Sequence, residues 1–332
     1  MTSFPLAAII GGAVCGAPLF IIFGALALLL FHAQGISTQA VIVEMVRLAS
    51  APTLIAIPLF TFAGYLLAES KSPQRIVSLC RALFGWMPGG LAVVSLVACA
   101  FFTAFNGASG VTIIALGGLL LPILARERYP ERFSMGLLTT GGSLGLLFPP
   151  SLPLILYALM AQVNVDALFL AGILPGVFLV TLLSVFSMTS GARARVAREP
   201  FRAETILRAL KEAIWIVPLP FIILVGIYGG FFTASEAAAV TAVYVLFIEL
   251  VIYRDLKPIR DVPRIAANSM TLVGGVLIIL GCALGFTNYL VDEQVPMKIL
   301  EFMREFITSK FMFLAVLNVF LLLVGCLMDI FS

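Results

Sequence analysis

The chain has 332 residues, of which 61% are hydrophobic and 11% are charged, with a net charge of +3 and a mean hydropathy of +1.14. With apolar runs of about 20 residues, this composition predicts an all-α polytopic membrane protein. The single histidine, His32, and the five scattered cysteines lack the spacing of metal ligands or of a disulfide framework, and no glycine-rich phosphate loop is present. Transition-metal, haem and nucleotide chemistry therefore lack their usual residues.

Nine apolar segments divide the chain: 6–31, 51–69, 89–125, 133–160, 167–189, 214–232, 234–252, 267–291 and 311–328. The first has no basic leader and no small-residue cleavage site, which favours a retained membrane segment over a signal peptide. A break at Gly16-Ala17-Pro18 would divide it into two short pieces and move the N-terminus to the other face, so its orientation stays open.

Of the 20 Lys and Arg residues, 16 lie in four polar stretches, 70–88, 126–132, 190–213 and 253–264. Cytoplasmic loops of membrane proteins carry an excess of Lys and Arg, so these four are predicted to be cytoplasmic. The assignment requires 89–125 to leave and return on one face, by two crossings or by one re-entrant hairpin.

The run 89–125 has 37 residues, too few for two comfortable spans of about 20 residues and a turn. Its middle is the small polar cluster Asn106-Gly107-Ala108-Ser109-Gly110 rather than a charged loop. We therefore predict a hairpin whose tip lies within the membrane. Irregular backbone at that depth must face protein or a water-filled cavity, so the tip is expected to face an interior site.

The segment 133–160 carries a second interruption, with Gly141, Gly142, Gly145, Pro149, Pro150 and Pro153 within one crossing. Proline removes a backbone donor and clashes with the carbonyl one turn earlier, so no continuous helix is expected here. Carbonyls near Leu146 to Phe148 then lose helical partners and become available to coordinate a ligand. The structural alternative is a kinked helix.

The sequence also predicts an inverted repeat, as in many secondary transporters. Glu69 ends one span and Asn106 follows 37 residues later; Asp292 ends another and Asp329 follows after the same interval. An amphipathic stretch comes after each span, and both are expected to lie at the membrane interface, as links between moving parts or as plain connectors. Asp329 is then the counterpart of Asn106. Since the chain ends at Ser332, the second hairpin is expected to be incomplete, in a fragment or a truncated product.

A third feature is the start of the alanine-rich segment 234–252. Thr233, Ser235 and Glu236 form a capping-type helix start, and Glu236 could alternatively help to seat a cation if it points inward.

The motifs together resemble the large (DctM-like) membrane subunit of tripartite ATP-independent periplasmic (TRAP) transporters. They are "IPLFTFAGYLLAES", "PGGLAVVSLVACAFFTAFNGASG", "TTGGSLGLLFPPSLPLILYA", "LFLAGILPGVF" and "IYGGFFTASEAAAVTAVY". The resemblance implies a bacterial inner-membrane protein that imports small organic acids, such as dicarboxylates or acidic sugars, by sodium symport. It also implies two partners, a small four-helix membrane subunit and a periplasmic binding protein, and an elevator-type transport domain with re-entrant hairpins and broken helices.

Carried over residue by residue, the resemblance implies that sodium and substrate bind at two interruptions, through backbone carbonyls and hydroxyls. These residues are Asn106, Gly107, Ala108, Ser109 and Gly110 at the tip, and Gly145, Phe148, Pro149, Pro150 and Ser151 at the break. A possible second site comprises Thr233, Ser235, Glu236 and Asp329. Na⁺ is the expected coupling ion, with no other cofactor. Asn106 and Ala108 depart from the serine-rich tip of the family, which favours backbone ligation there.

The predicted organisation has five parts. They are N-terminal spans and interfacial arm 1–88, first hairpin and broken helix 89–160, span and basic loop 161–213, repeat-two spans and arm 214–310, and incomplete second hairpin 311–332.

Three other function classes compete with transport: an intramembrane protease, a channel and a non-transporting scaffold. Gly107-Ala108-Ser109-Gly110 matches the Gly-x-Ser-Gly pattern of rhomboid intramembrane proteases, with Ser109 as nucleophile, but the only candidate base, His32, precedes the serine. A channel is disfavoured because the interruptions are paired and inverted. A non-transporting scaffold subunit is the third alternative, because the second repeat is expected to be incomplete.

Overall fold

A computed structural model describes residues 3–193, 200–307 and 309–327 of the chain. These residues form sixteen α-helices and, within those ranges, no β-strand. The helices are α1 Ser3–Val14, α2 Leu19–Ala33, α3 Gln39–Ala49, α4 Ala56–Glu69, α5 Ser72–Phe84, α6 Gly90–Asn106, α7 Ser109–Arg126, α8 Glu131–Leu144, α9 Leu152–Ala161, α10 Val165–Arg193, α11 Ala203–Ala213, α12 Pro218–Tyr228, α13 Ala234–Phe247, α14 Asp261–Asp292, α15 Val295–Phe306 and α16 Lys310–Leu327. Short 3₁₀ turns cover Pro52–Ile55 and Gly145–Leu147, and a π-helix covers Ile248–Ile252.

The prediction of an all-α polytopic membrane protein is confirmed. Five helical segments of the described chain are long and apolar enough to cross a membrane: Pro52–Glu69, Ser109–Arg126, Val165–Gly191, Ala234–Ile252 and Asp261–Asp292. Two bent pairs raise the number to seven if each pair is one span: α8 with α9, bent by 48°, and α11 with α12, bent by 63°.

The residues cluster into two compact units, and helix α14 contributes to both. The first unit comprises 1–51 and 272–332. In it, α2 and the second part of α14 pack through aromatic rings: Phe31 meets Tyr289 edge-on at 5.6 Å, and Phe23 stacks on Phe286 at 6.0 Å. The buried side chains Ala27, Phe31 and Val41 form the centre of this core.

The second unit, 52–271, contains both interruptions predicted from the sequence. Its centre is α6, where nearly every residue from Gly90 to Asn106 is buried, in contact with α4, α5, α7, α8 and α10. A helix that is apolar on all sides and buried on all sides belongs to the interior of a bundle.

At one end of this unit, the chain segments that carry most of the basic residues meet. Cβ atoms placed on Gly191 would lie 2.4 Å from the Cα of Gly89 and 3.2 Å from the Tyr129 hydroxyl, so the start of α6, the end of α7 and the end of α10 converge. The helix-end contacts on this side are Glu69–Arg264 at 3.0 Å, Ser72–Glu249 at 2.5 Å, Arg75–Asp255 at 2.5 Å and Tyr253–Glu212 at 2.8 Å. We call this the basic end.

The opposite end of the second unit brings together the remaining helix termini. Ser235, at the start of α13, donates to the Pro52 carbonyl at 3.2 Å, and Tyr228, at the end of α12, donates to the Asp166 carbonyl at 3.1 Å. Basic and non-basic stretches alternate along the chain, so a helical unit that crosses a membrane repeatedly should collect the basic stretches at one end and the non-basic turns at the other, as found here.

The apolar segment 6–31, whose continuity the sequence left open, is two helices, α1 and α2, because Gly16 adopts a left-handed φ of +84° and Pro18 follows it. One boundary differs from the sequence-based expectation. Part of the basic stretch 190–213, predicted as a loop, is the amphipathic helix α11. Its buried Ala209 and Ala213 pack against Leu79 of α5. The two alanines are four residues apart, a spacing that predicts a helical face, but the many charged residues around them conceal this pattern in the sequence.

Candidate functional site

The hairpin tip is a two-residue break between α6 and α7. The tip is closed by Gly107, whose φ of +65° lies in the left-handed region, and its amide donates to the Thr103 carbonyl at 2.9 Å. Asn106 is buried, and its side-chain oxygen accepts from the Ala108 amide at 2.9 Å. Its amide group donates to the Thr112 hydroxyl at 2.8 Å, and Thr103 donates to the same hydroxyl at 2.9 Å. Side-chain hydrogen bonds therefore hold the two arms together at the tip.

Helix α4 covers the tip from one side. A Cβ atom on Gly64 would lie 2.3 Å from the Cα and 2.7 Å from the amide nitrogen of Asn106. Real Cβ atoms do not come this close to other heavy atoms, so only glycine, which has no Cβ, permits α4 to approach the tip in this way. The position of Asn106 is thus set by the backbone of α4 as well as by its own hydrogen bonds.

The second interruption separates α8 from α9. The 3₁₀ turn Gly145–Leu147 ends α8, Phe148 turns to extended backbone, and the Pro149–Pro150 peptide is cis before α9 begins at Leu152. The helical part before the break, Glu131–Leu147, and α6 both contain 17 residues and both begin at the basic end. At 1.5 Å per residue each extends about 25 Å, so the tip and the break lie at the same depth.

The two interruptions are in direct contact. A Cβ atom on Gly107 would lie 2.4 Å from that of Leu152, and one on Gly145 would lie 2.5 Å from that of Thr103. One on Gly142 would lie 3.3 Å from the Ser109 carbonyl oxygen. The tip therefore packs on the start of α9, and the 3₁₀ turn packs on the last turns of α6.

Ser151, the residue before α9, is fully buried, and its hydroxyl has no hydrogen-bond partner among the described residues. A buried hydroxyl without a partner is costly, because the oxygen has lost water and gained nothing in return. Ser151 is also the N-cap of α9 but does not bond the free amides of the first turn. Among the predicted site residues that the structure describes, it is the one whose side-chain polar atom is buried without a partner.

The other residues predicted at the break face a different environment. Phe148 and Pro149 line a cavity of about 280 Å³. Its other walls are apolar side chains of α6, α10 and α12: Val97, Ala100, Phe101, Ala104, Phe105, Ile173, Val180, Pro220 and Leu224. An apolar wall of this kind suits hydrocarbon and offers an anion or a cation no polar partner.

The possible second site is engaged in capping. Thr233 and Glu236 form a reciprocal capping box, in which the Glu236 carboxylate accepts from the Thr233 amide at 2.8 Å and hydroxyl at 2.9 Å. Glu236 is exposed, and no hydrogen bond of these residues or of Ser235 reaches the tip or the break. Asp329, the fourth member, lies outside the described residues.

Comparison with known proteins decides the family. The family described as "Tripartite ATP-independent periplasmic transporter, DctM component" matches residues 5–332. The chain belongs to this family. It is a large permease subunit of the TRAP type, in agreement with the resemblance carried by the motifs.

Relatives of this DctM-family protein act on different solutes. The C4-dicarboxylate TRAP transporter large permease protein DctM of Pseudomonas aeruginosa is 34% identical over 310 residues, 92% of this chain and 71% of the relative. The ectoine/5-hydroxyectoine protein UehC of Ruegeria pomeroyi is 32% identical over 79% of this chain and 61% of the relative. The 2,3-diketo-L-gulonate protein YiaN of Escherichia coli is 28% identical over 98% of this chain and 77% of the relative. Family membership therefore does not name the solute.

Membership in a transporter family disfavours the protease interpretation of Ser109. Ser109 is the first residue of α7 and half-buried, and its hydroxyl makes no hydrogen bond within the described residues. Within the described residues, no hydrogen bond joins Ser109 to His32, the only histidine of the sequence, as activation of a nucleophile by its base would require.

Several residues that shape the site were not predicted. Thr103 and Thr112 join the arms of the DctM hairpin, and Gly64, Gly172 and Gly176 provide close helix contacts. The glycines are visible in the sequence as small residues within apolar runs, but sequence spacing does not reveal which backbone each one meets. Only the packing of α4 and α10 assigns them partners.

Proposed function

We propose that this chain is the permease subunit of a sodium-coupled TRAP transporter that imports a small organic acid, with sodium and solute binding where the tip meets the break. One observation carries the proposal: four helix ends converge there. They are the C-terminal ends of α6 and of the 3₁₀ turn, and the N-terminal ends of α7 and α9.

The chemistry of helix ends supports both ligands. C-terminal ends present carbonyl oxygens with partial negative charge, which suit a hard monovalent cation such as sodium. N-terminal ends present amide hydrogens with partial positive charge, which suit a carboxylate. The site thus accommodates a cation and an anion without a charged side chain, in a chain whose spans hold few charges.

Ser151 is the residue we assign to the cation. Its hydroxyl oxygen is buried and unpartnered, four residues after the end of the 3₁₀ turn Gly145–Leu147, and a sodium ion would satisfy it. The remaining oxygens of the proposed shell come from among the backbone carbonyls of 106–110 and 145–151. Asn106 is assigned a positioning role, because both ends of its amide are already hydrogen-bonded.

The proposed transport cycle involves the two partners implied by the family. A periplasmic binding protein delivers the solute, and a small four-helix subunit accompanies this chain in the bacterial inner membrane. The hairpin and the broken helix are proposed to move together across the membrane in an elevator-type step, since their direct contacts make them one packed body.

The test is uptake of labelled organic acids into proteoliposomes that contain this chain, its small subunit and its binding protein. Uptake must require an inward sodium gradient and saturate with sodium. Uptake that is equal in sodium, potassium and choline media contradicts the proposal.

The role of Ser151 has a matched control. Ser187 of α10 is also fully buried with an unpartnered hydroxyl, but it lies near the basic end, beside Gly89. We expect Ser151→Ala to raise the half-saturating sodium concentration about tenfold, by removal of a ligand oxygen. Ser187→Ala should leave it unchanged. Equal sodium dependence of the two variants removes Ser151 from the cation site.

A further inference from the structure

Helix α10 approaches the break through two glycines one helical turn apart. A Cβ atom on Gly172 would lie 2.4 Å from the Leu147 carbonyl oxygen, and one on Gly176 would lie 2.9 Å from the ring of Phe148. Both glycines belong to the sequence Gly172-Ile-Leu-Pro-Gly176, which the proposed cation and solute contacts do not use. A spacing of four residues puts both on one face of the helix.

The opposite side of the same segment is held by another glycine pair. A Cβ atom on Gly142 would lie 2.5 Å from the Ile113 side chain, and one on Gly145 would lie 2.3 Å from the Ala100 carbonyl oxygen. The backbone 142–148 therefore lies between the hairpin on one side and α10 on the other. Backbone meets backbone directly at Gly145 with Ala100 and at Gly172 with Leu147, whereas Gly142 meets the Ile113 side chain and Gly176 meets the Phe148 ring. Small residues allow helices in a membrane to approach this closely.

The contact has a consequence for the oxygens at the break. The Leu147 carbonyl is one of those that the sequence predicts to be free, but its oxygen faces Gly172: it would lie 2.4 Å from a Cβ atom there, whereas its carbonyl carbon would lie 3.5 Å away. It is thus directed to α10. The Ser151 hydroxyl and the carbonyls of neighbouring residues are left for a ligand.

We propose that Gly172 and Gly176 are positioning residues for the cation site: they seat α10 on Leu147 and Phe148 and thereby fix which oxygens of the break face the tip. The inference deepens the proposed function, since it concerns the geometry of the same site. The glycines touch neither ion nor solute. They act through the backbone of residues 147 and 148.

The two positions differ in what a methyl group would meet, which predicts an order of effects. Gly172→Ala collides with a backbone carbonyl, which can move only if the break moves. Gly176→Ala collides with an aromatic ring, which can give way. We expect Gly172→Ala to raise the half-saturating sodium concentration about tenfold and Gly176→Ala to raise it less, with the solute KM at saturating sodium nearly unchanged.

A rescue separates positioning from general packing. Replacing the ring in the double variant Gly176→Ala/Phe148→Leu gives the methyl group room, and sodium affinity should return toward that of Phe148→Leu alone. The control is Gly274→Ala, at a glycine of α14 with no atom within 4 Å of its Cβ position. A lower amount of folded protein with unchanged sodium dependence in the α10 variants, or failure of the rescue, overturns the proposal.

A second measurement does not depend on transport. Hydrogen exchange of the purified chain should rise in residues 145–148 for Gly172→Ala and Gly176→Ala, relative to wild type and Gly274→Ala. If wild-type protein shows no sodium-dependent uptake, the proposed function fails, while the exchange result still tests the seating of the break. Unchanged exchange in both α10 variants rejects the positioning role.

Discussion

At the tip of the hairpin, Asn106 links three backbone segments through two hydrogen bonds, one from its amide group to Thr112 and one to its side-chain oxygen from Ala108. Asn106→Ala removes both hydrogen bonds: the buried Thr112 hydroxyl loses one donor, and the Ala108 amide loses its side-chain acceptor. We expect a loss of about 1–3 kcal/mol in local stability and a strong loss of uptake. Faster hydrogen exchange at residues 107–112 is the measurement.

The control for this prediction is Asn318→Ala. Asn318 donates a single hydrogen bond to the Leu314 carbonyl of its own helix, α16, and is exposed. Its replacement should change exchange only within α16. If the two variants have equal effects on residues 107–112, the tip is not held by Asn106.

Gly64 is the second residue that sets the position of the tip. Gly64→Ala places a methyl group 2.3 Å from the Cα of Asn106, where the obstacle is backbone rather than a flexible side chain. Overpacking of this kind costs about 1–3 kcal/mol or more, so the thermal midpoint in detergent should fall. Gly118→Ala in α7, where the added methyl meets no atom within 4 Å, should leave the midpoint unchanged or raise it. Equal midpoints for both variants contradict this assignment.

At the scale of elements, the sequence predicted the interruptions well and their partners poorly. The cluster Asn106–Gly110 and the Gly-Pro-rich stretch 141–153 break helices wherever they occur, because glycine and proline act on the local backbone. Which helix covers each break depends on contacts between residues far apart in the chain, such as Gly64 with Asn106 and Gly172 with Leu147. No local pattern encodes them. The helix α11 was missed for the opposite reason, since its charges concealed a helical face.

The corner between α4 and α5 is joined to the end of α13 by one buried pair. The Ser72 hydroxyl donates to the Glu249 carboxylate at 2.5 Å, both residues are fully buried, and Glu249 lies in the π-helix. Removal of one partner leaves the other buried and unsatisfied. We expect Ser72→Ala and Glu249→Ala each to lower the thermal midpoint. Their double variant should lose less than the sum, with a coupling of about 1–3 kcal/mol in a double-mutant cycle. Additive losses show that the pair does not couple α5 to α13.

At the scale of the whole molecule, charge and packing point to the same arrangement of the second unit. The four basic stretches alternate along the chain with short non-basic turns. The helix-end contacts group the basic stretches at one end of the unit and the non-basic turns at the other. The hairpin is essential to this agreement. A single crossing by 89–125 would place residues 86 and 126 on opposite faces, whereas Gly89, Tyr129 and Gly191 converge. A helix of about 25 Å from that end also stops short of a hydrocarbon core of about 30 Å, which favours a re-entrant tip.

This arrangement predicts sidedness for single cysteines introduced into a cysteine-free variant. Arg126→Cys and Lys257→Cys, at exposed positions of the basic end, should react with a membrane-impermeant maleimide only from the cytoplasmic face. Val163→Cys and Phe231→Cys, whose native side chains are 47% and 73% exposed near the other end, should react only from the periplasmic face.

Arg126 and Lys257 are separated by an even number of crossings, so they must label alike whatever the orientation of the N-terminus. Opposite labelling of these two breaks the proposed topology. Shared labelling from the periplasmic face keeps the fold but reverses the protein in the membrane, against the charge distribution.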